Sequence, residues 1–188
     1  MENEQYAIFN KENKQVIYKQ ILISEEINQL NAELEESIFA SNTETGLATG
    51  YRLFVDINIR EQYPLVCDRL FVVLKDYFPD IELCPYGRFY SHKYGGIKPH
   101  TDKSHDGRSN YTLLLYLTDD FDDGKLHIKM KRSQNELNIL LPDKLHKVFT
   151  FTPMCGYGVI FNKDLLHWAS DIYIGNKNFL LIHFYSTW

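Results

Sequence analysis

Tyr94-Gly95-Gly96-Ile97-Lys98-Pro99-His100-Thr101-Asp102 places a histidine and a carboxylate two residues apart, just after a glycine pair. If Ile97–Asp102 is a strand, its period of two puts His100 and Asp102 on one face. An imidazole and a carboxylate on one face are two corners of a metal site that lacks a third ligand. A lone His-x-Asp is a weak signal in a chain with seven histidines, so the surrounding pattern has to carry the reading.

Outward from this stretch, short apolar runs alternate with turn signals from Ile81 to the C-terminus. Leu83–Tyr90, Ile97–Asp102, Tyr111–Leu117, Leu126–Met130, Lys147–Phe151, Tyr157–Phe161, Leu166–Ser170 and Phe179–Tyr185 read as strands. Gly95-Gly96, Asp106-Gly107, Asp122-Asp123-Gly124, Pro142-Asp143 and Gly175-Asn176 separate them. Strands at this spacing predict a β-sandwich or barrel such as a double-sheet jelly roll.

The first ~80 residues read differently, as an α+β lead-in. Val16–Tyr18 and Ile21–Ile23 suggest one or two strands within residues 6–23. Ser24 as N-cap, Glu25 and Glu26 in the first turn, and Ile27, Leu30, Leu34 and Ile38 at helical spacing predict a helix. Tyr51–Ile59 alternates Leu53, Val55, Ile57 and Ile59 against Arg52, Phe54, Asp56 and Asn58, which predicts a strand with one buried face. A second amphipathic helix is expected from Pro64 to Phe78, stopped by Pro79. The expectation is therefore a single domain over 1–188: a mainly β chain whose double-stranded β-helix (jelly-roll) core, about 81–188, is braced by N-terminal helices.

Composition narrows the function. At 188 residues the chain is long enough to bury about 70% of the surface its unfolded form exposes. A net charge of −5 gives no general pull toward nucleic acid. Three cysteines without CxxC spacing fit reduced thiols in a cytoplasmic compartment. The acidic N-terminus is unlike a signal peptide, and no apolar run approaches the ~20 residues of a membrane span.

His167 supplies the missing corner. It lies in a short strand after Gly156-Tyr157-Gly158-Val159-Ile160-Phe161. Two histidines and a carboxylate form the facial triad of non-haem Fe(II) oxygenases, which leaves open coordination positions. The last strand carries Lys177 in an otherwise apolar run, and a cation aimed into a barrel is costly unless an anion meets it.

From about Leu83 onward the sequence resembles the catalytic domain of the 2-oxoglutarate- and Fe(II)-dependent dioxygenases, in the prolyl 4-hydroxylase-like branch. The matching pieces run in order: Arg88-Phe89-Tyr90, Gly95-Gly96, His100-Thr101-Asp102, Leu113 to Gly124, Pro153-x-x-Gly156, Val159–Phe161, His167 and Gly175-x-Lys177. The resemblance implies that His100, Asp102 and His167 ligate Fe(II). It implies that Lys177 binds the distal carboxylate of 2-oxoglutarate and that Tyr90 and Tyr116 also contact this co-substrate. The implied reaction uses O2, releases succinate and CO2, and hydroxylates a side chain, with a prolyl residue of a protein or peptide as the favoured substrate and ascorbate as a candidate reductant.

Two features depart from the family pattern. Ser91-His92-Lys93-Tyr94 does not follow the usual spacing before the glycines, and the signature after the third core strand is reduced to Asp123-Gly124-Lys125-Leu126. Both bear on substrate rather than on chemistry. Polar loop Lys103–Asn110 reads as a substrate-side lid, with Arg108 as the candidate substrate contact and His105 as the nearest competitor for the metal. His92, His127, His146 and His183 read as ordinary core or surface histidines. The alternatives are the same chemistry on another amino-acid side chain or a small molecule, or a non-catalytic jelly-roll binding module. A nucleic-acid demethylase is disfavoured, because Asn178 to Ile182 after Lys177 carries no paired arginines.

Overall fold

The structure, a computed structural model, describes residues 16–38, 42–43, 47–103, 107–131 and 146–187. The expectations placed on residues 6–15, His105 and the side chain of His146 lie outside the described set.

In chain order the elements are β1 (Val16–Gln20), α1 (Ser24–Ile38), β2 (Asn42–Thr43), β3 (Tyr51–Asn58), α2 (Ile59–Gln62), α3 (Pro64–Lys75), β4 (Glu82–His100), β5 (Tyr111–Tyr116), β6 (Leu126–Lys131), β7 (His146–Phe151), β8 (Tyr157–Asn162), β9 (His167–Ile172) and β10 (Lys177–Tyr185). All strand pairings are antiparallel. One face of the barrel has the strand order β1-β8-β5-β10-β4-β3-β2, and the other has β4-β9-β6-β7. The mainly β jelly-roll expectation holds. The lead-in does more than brace the core, since β1 and β3 extend its larger sheet.

Two strands expected on either side of Gly95-Gly96 are one 19-residue strand, β4, that belongs to both faces. Its pairing moves from β10 and β3 to β9 with register shifts at Gly95 and Ile97. The glycines serve this bend. Gly95 has φ 81°, and a Cβ on Gly96 would stand 2.6 Å from both the Ala169 carbonyl and the Asp171 carboxylate. Thr49 locks the crossing, accepting from the Gly96 amide at 2.7 Å and donating its own amide to the Gly96 carbonyl at 2.9 Å.

The larger sheet is covered on both sides, which explains its nearly unbroken apolar strands. Leu113, Leu115, Leu180, Ile182 and Phe184 face the helices and pack with Leu30, Leu34, Leu70 and Leu74. Leu114, Tyr116, Phe161 and Phe179 point the other way, into the barrel. The same two-sidedness corrects the reading of β3. Arg52 was expected on a solvent face, yet it is only 6% exposed, because that face looks into the barrel while Val55 and Ile57 pack toward the helices. α1 starts at Ser24, one residue earlier than Ser24 as N-cap implies: the Ile23 carbonyl accepts from the Ile27 amide at 3.1 Å, and Glu26 reaches back to accept from the Ile23 amide at 3.0 Å. α3 ends at Lys75, three residues short of Phe78. No described helix is long and apolar enough to cross a membrane.

Candidate metal centre and anion pocket

Strand register dictates which side chains share the barrel interior. Across the larger sheet, Arg52 lies opposite His92 and His92 opposite Lys177. Phe54, Tyr90, Phe179 and Tyr116 form the next row. Nearer the other end of the strands, Thr112 pairs with both His183 and Phe161. From the opposite sheet, His100 pairs with His167 across β4 and β9. All of these but Phe54, Thr112 and Phe161 line a cavity of about 450 Å³, together with Asp102, Leu47, Leu126 and Trp168.

His100, Asp102 and His167 converge at one end. β4 stops at His100, so Asp102 lies in the loop beyond it rather than in the strand. Its backbone is fixed by donation to the Lys163 carbonyl at 3.0 Å. Each imidazole is oriented by a carbonyl two residues earlier: His100 Nδ1 lies 2.8 Å from the Lys98 oxygen, and His167 Nδ1 lies 2.9 Å from that of Leu165. A carbonyl only accepts, so each Nδ1 carries the proton and each Nε2 of a neutral ring presents a lone pair. Both Nε2 atoms face Asp102 Oδ1, at 3.5 Å and 3.6 Å. Three acceptor atoms thus point at one another, within 4.8 Å as a group. That arrangement is attractive only with a cation among them.

The electrostatics agree with this reading. Burial holds the His167 imidazole below its ordinary pKa, outweighing the raising influence of Asp102, and so favours the neutral ring. Burial works against ionisation of Asp102 as well, but the neighbouring His100 and His167 imidazoles and a hydrogen bond from Thr112 outweigh that and hold its carboxyl low. Thr112 Oγ1 donates to Asp102 Oδ2 at 2.7 Å, which occupies one carboxylate oxygen and leaves Oδ1 to the imidazoles. The single hydroxyl proton is thereby used, so Thr112 Oγ1 can only accept from His183 Nδ1, 3.3 Å away. Thr112→Val should therefore weaken divalent-metal binding about 10- to 100-fold, the usual cost of losing a ligand's hydrogen-bond partner. Thr112→Ser should restore it, and calorimetric titration with Ni(II) reads both.

At the other end the pocket is basic. Lys177 is 4% exposed, donates to the Gly124 carbonyl, and has the rings of Tyr116 and Phe179 within 6 Å. Burial first, then the charge of Arg52, lowers its pKa to about 7. The Tyr116 hydroxyl is fully buried with no hydrogen-bond partner among the described residues, and burial pushes its pKa up. Tyr90 stacks on Phe179 at 5.0 Å and carries the Arg52 guanidinium 4.2 Å above its ring.

Of the residues singled out from the sequence, His100, Asp102, His167, Lys177, Tyr90 and Tyr116 all line this cavity. Arg108 does not. It is ion-paired with Glu82, lies over Tyr185 and lines a separate pocket, so the structure moves it away from the expected substrate position. The intervening lid residues 104–106 lie outside the described set. The sequence reading missed Arg52, His92 and His183 as cavity residues, and Thr112 as the hydrogen-bond partner of Asp102 behind the cavity wall.

The architecture has solved counterparts. A prolyl-4-hydroxylase from Pseudomonas putida superposes with a TM-score of 0.61 over 93% of this chain and 94% of its own, at 16% identity. The fold is that of the 2-oxoglutarate- and Fe(II)-dependent oxygenases. A second structure with this oxygenase fold is a prolyl hydroxylase from Trichoplax adhaerens in complex with a hypoxia-inducible-factor degradation-domain peptide (TM-score 0.65, 12% identity, 92% of this chain and 84% of that one). A third is HygX from Streptomyces hygroscopicus with nickel, 2-oxoglutarate and hygromycin B bound (TM-score 0.63, 15% identity, 100% and 88%). No protein-family model and no curated protein matches the sequence.

Proposed function

We propose that this protein is an Fe(II)- and 2-oxoglutarate-dependent oxygenase that hydroxylates a side chain, with a prolyl residue of a protein or peptide as the favoured substrate. The observation that carries the reading is the convergence of two imidazole lone pairs and one carboxylate oxygen, with no donor between them, at one end of a cavity whose other end is cationic. Two imidazoles and one carboxylate suit Fe(II) and leave coordination positions for exogenous ligands.

In this reading His100, Asp102 and His167 hold the metal. When bound, iron and 2-oxoglutarate supply the oxidising chemistry, in which O2 is consumed, the keto acid becomes succinate and CO2, and the substrate gains a hydroxyl group. The chain's own part is positioning. Lys177 and the Tyr116 hydroxyl present a charge and a donor to the distal carboxylate, and Tyr90 and Phe179 wall that end against water. Leu47 and Trp168 on the cavity wall offer apolar surface suited to a prolyl ring. The peptide-bound neighbour supports a peptide substrate and the hygromycin-bound one a small molecule.

Succinate release separates these readings. The protein with Fe(II), 2-oxoglutarate and proline-containing peptides should form succinate in step with hydroxylated peptide. Stimulation by small molecules but not by peptides would replace the substrate class. Binding of metal and 2-oxoglutarate with no succinate under any condition would leave a binding module in place of an enzyme.

A further inference from the structure

One buried feature goes beyond the residues that the family resemblance assigns. Arg52, His92 and Lys177 stand side by side on three neighbouring strands, 6%, 1% and 4% exposed, and all line the cavity. A buried row of three basic groups is unfavourable unless one loses its charge or an anion joins them. His92 belongs to Ser91-His92-Lys93-Tyr94, the stretch that departs from the family's spacing. One side of its ring is hydrogen-bonded to the Tyr94 backbone, while its Nε2 is buried with no hydrogen-bond partner among the described residues.

We propose that His92 is a second contact for the distal carboxylate of the co-substrate, its Nε2 taking a proton from solvent as the anion arrives and donating it to a carboxylate oxygen. The proposal rests on the reading that Lys177 anchors that carboxylate. His92 lies directly opposite Lys177, so a carboxylate held by the lysine comes within reach of the imidazole. The bond to the Tyr94 backbone favours a protonated ring and orients it. With that side donating, the Nε2 of a neutral ring is a lone pair, and a carboxylate only accepts, so the contact requires the extra proton.

The groups facing His92 act in opposite directions. Burial first, then Arg52 on β3 and Lys177 on β10, pushes the free imidazole down to about 4, while Asp171 on β9 acts weakly the other way. An anion placed among the three basic groups offsets both neighbouring charges and raises the affinity of His92 for a proton. Burial, with Arg52 and Lys177, thus keeps the ring neutral in the free pocket, and the bound carboxylate charges it.

The test is calorimetry of 2-oxoglutarate binding to the Ni(II)-loaded protein without oxygen, at pH 6, in buffers of different ionisation enthalpy. Lys177 is already mostly charged at that pH, so uptake there reports His92. The unaltered protein should take up close to one proton per 2-oxoglutarate, by roughly the linkage expected for a single site. 2-Oxopentanoate, which has the keto acid but no distal carboxylate, should bind with no uptake. His92→Leu should lose the uptake and bind 2-oxoglutarate about tenfold more weakly. His92→Gln, whose amide nitrogen donates without titrating, should regain affinity but not uptake, and it decides the matter if the leucine variant does not fold. Equal uptake and affinity in the variants and the unaltered protein would overturn the role of His92 alone. Failure of the unaltered nickel protein to bind 2-oxoglutarate would overturn the functional reading with it.

Discussion

Asp102→Ala is expected to abolish metal retention and every oxidation that depends on it. The carboxylate is the one anion among the three converging ligands, and Thr112 and the Lys163 carbonyl fix its orientation. Its removal leaves only two imidazoles, His100 and His167, whose rings remain held by backbone carbonyls. Losing only a hydrogen-bond partner of a ligand costs about 10- to 100-fold in affinity, so losing the charged ligand itself should cost more than about 100-fold. Thermal unfolding without metal should change far less, since Asp102 contributes polar contacts at the cavity wall rather than core packing. Titration with Ni(II) and succinate formation with Fe(II) read the two effects. Nickel affinity and turnover equal to those of the unaltered protein would remove the residue from the centre.

Lys177→Ala should act at the other end of the pocket and leave nickel binding intact. Truncating one partner of a buried charge pair costs about 2 to 5 kcal/mol, or a rise of roughly 30-fold or more in the 2-oxoglutarate dissociation constant. The lysine also gives binding a pH dependence of definite sign. Its ordinary pKa of 10.5 falls to about 7 in the free pocket, by burial first and then by Arg52. Below pH 7 the ammonium is already charged when the anion arrives, so this group adds no slope. Above pH 7 it must gain a proton on binding, and affinity should fall by up to about tenfold per pH unit. Lys177→Arg keeps its charge throughout and should flatten that limb. An alkaline limb unchanged in the arginine variant would assign the titration to another group.

Much of this was legible in the sequence because period-two alternation fixes faces. Tyr111–Leu117, Tyr157–Phe161 and Phe179–Tyr185 match β5, β8 and β10 to within two residues at either end. With Tyr116 facing inward, the same alternation places Leu114 and Thr112 inside. With Lys177 inward, it places Phe179, Leu181 and His183 there too, so the partners of Asp102 were within reach of the pattern. Arg52 was not, because its position depends on β3 pairing with β4, a contact across about 40 residues that local periodicity does not encode. The fusion of two expected strands into β4 was hidden for a related reason. Gly95-Gly96 reads locally as a turn, but here it lets one strand pass between two sheets. Arg108 was misplaced because an arginine in a polar loop says nothing of its partner, and Glu82 at the start of β4 claims it.

In the proposed function one cavity joins a metal held by His100, Asp102 and His167 to a 2-oxoglutarate site built on Lys177. This arrangement is tested most directly by titrating 2-oxoglutarate, without oxygen, into metal-free and Fe(II)-loaded protein. One 2-oxoglutarate per chain should bind, at least about tenfold more tightly with the metal, because one ligand shares both ends of the pocket. Equal affinity with and without Fe(II), or no binding in either form, would contradict it.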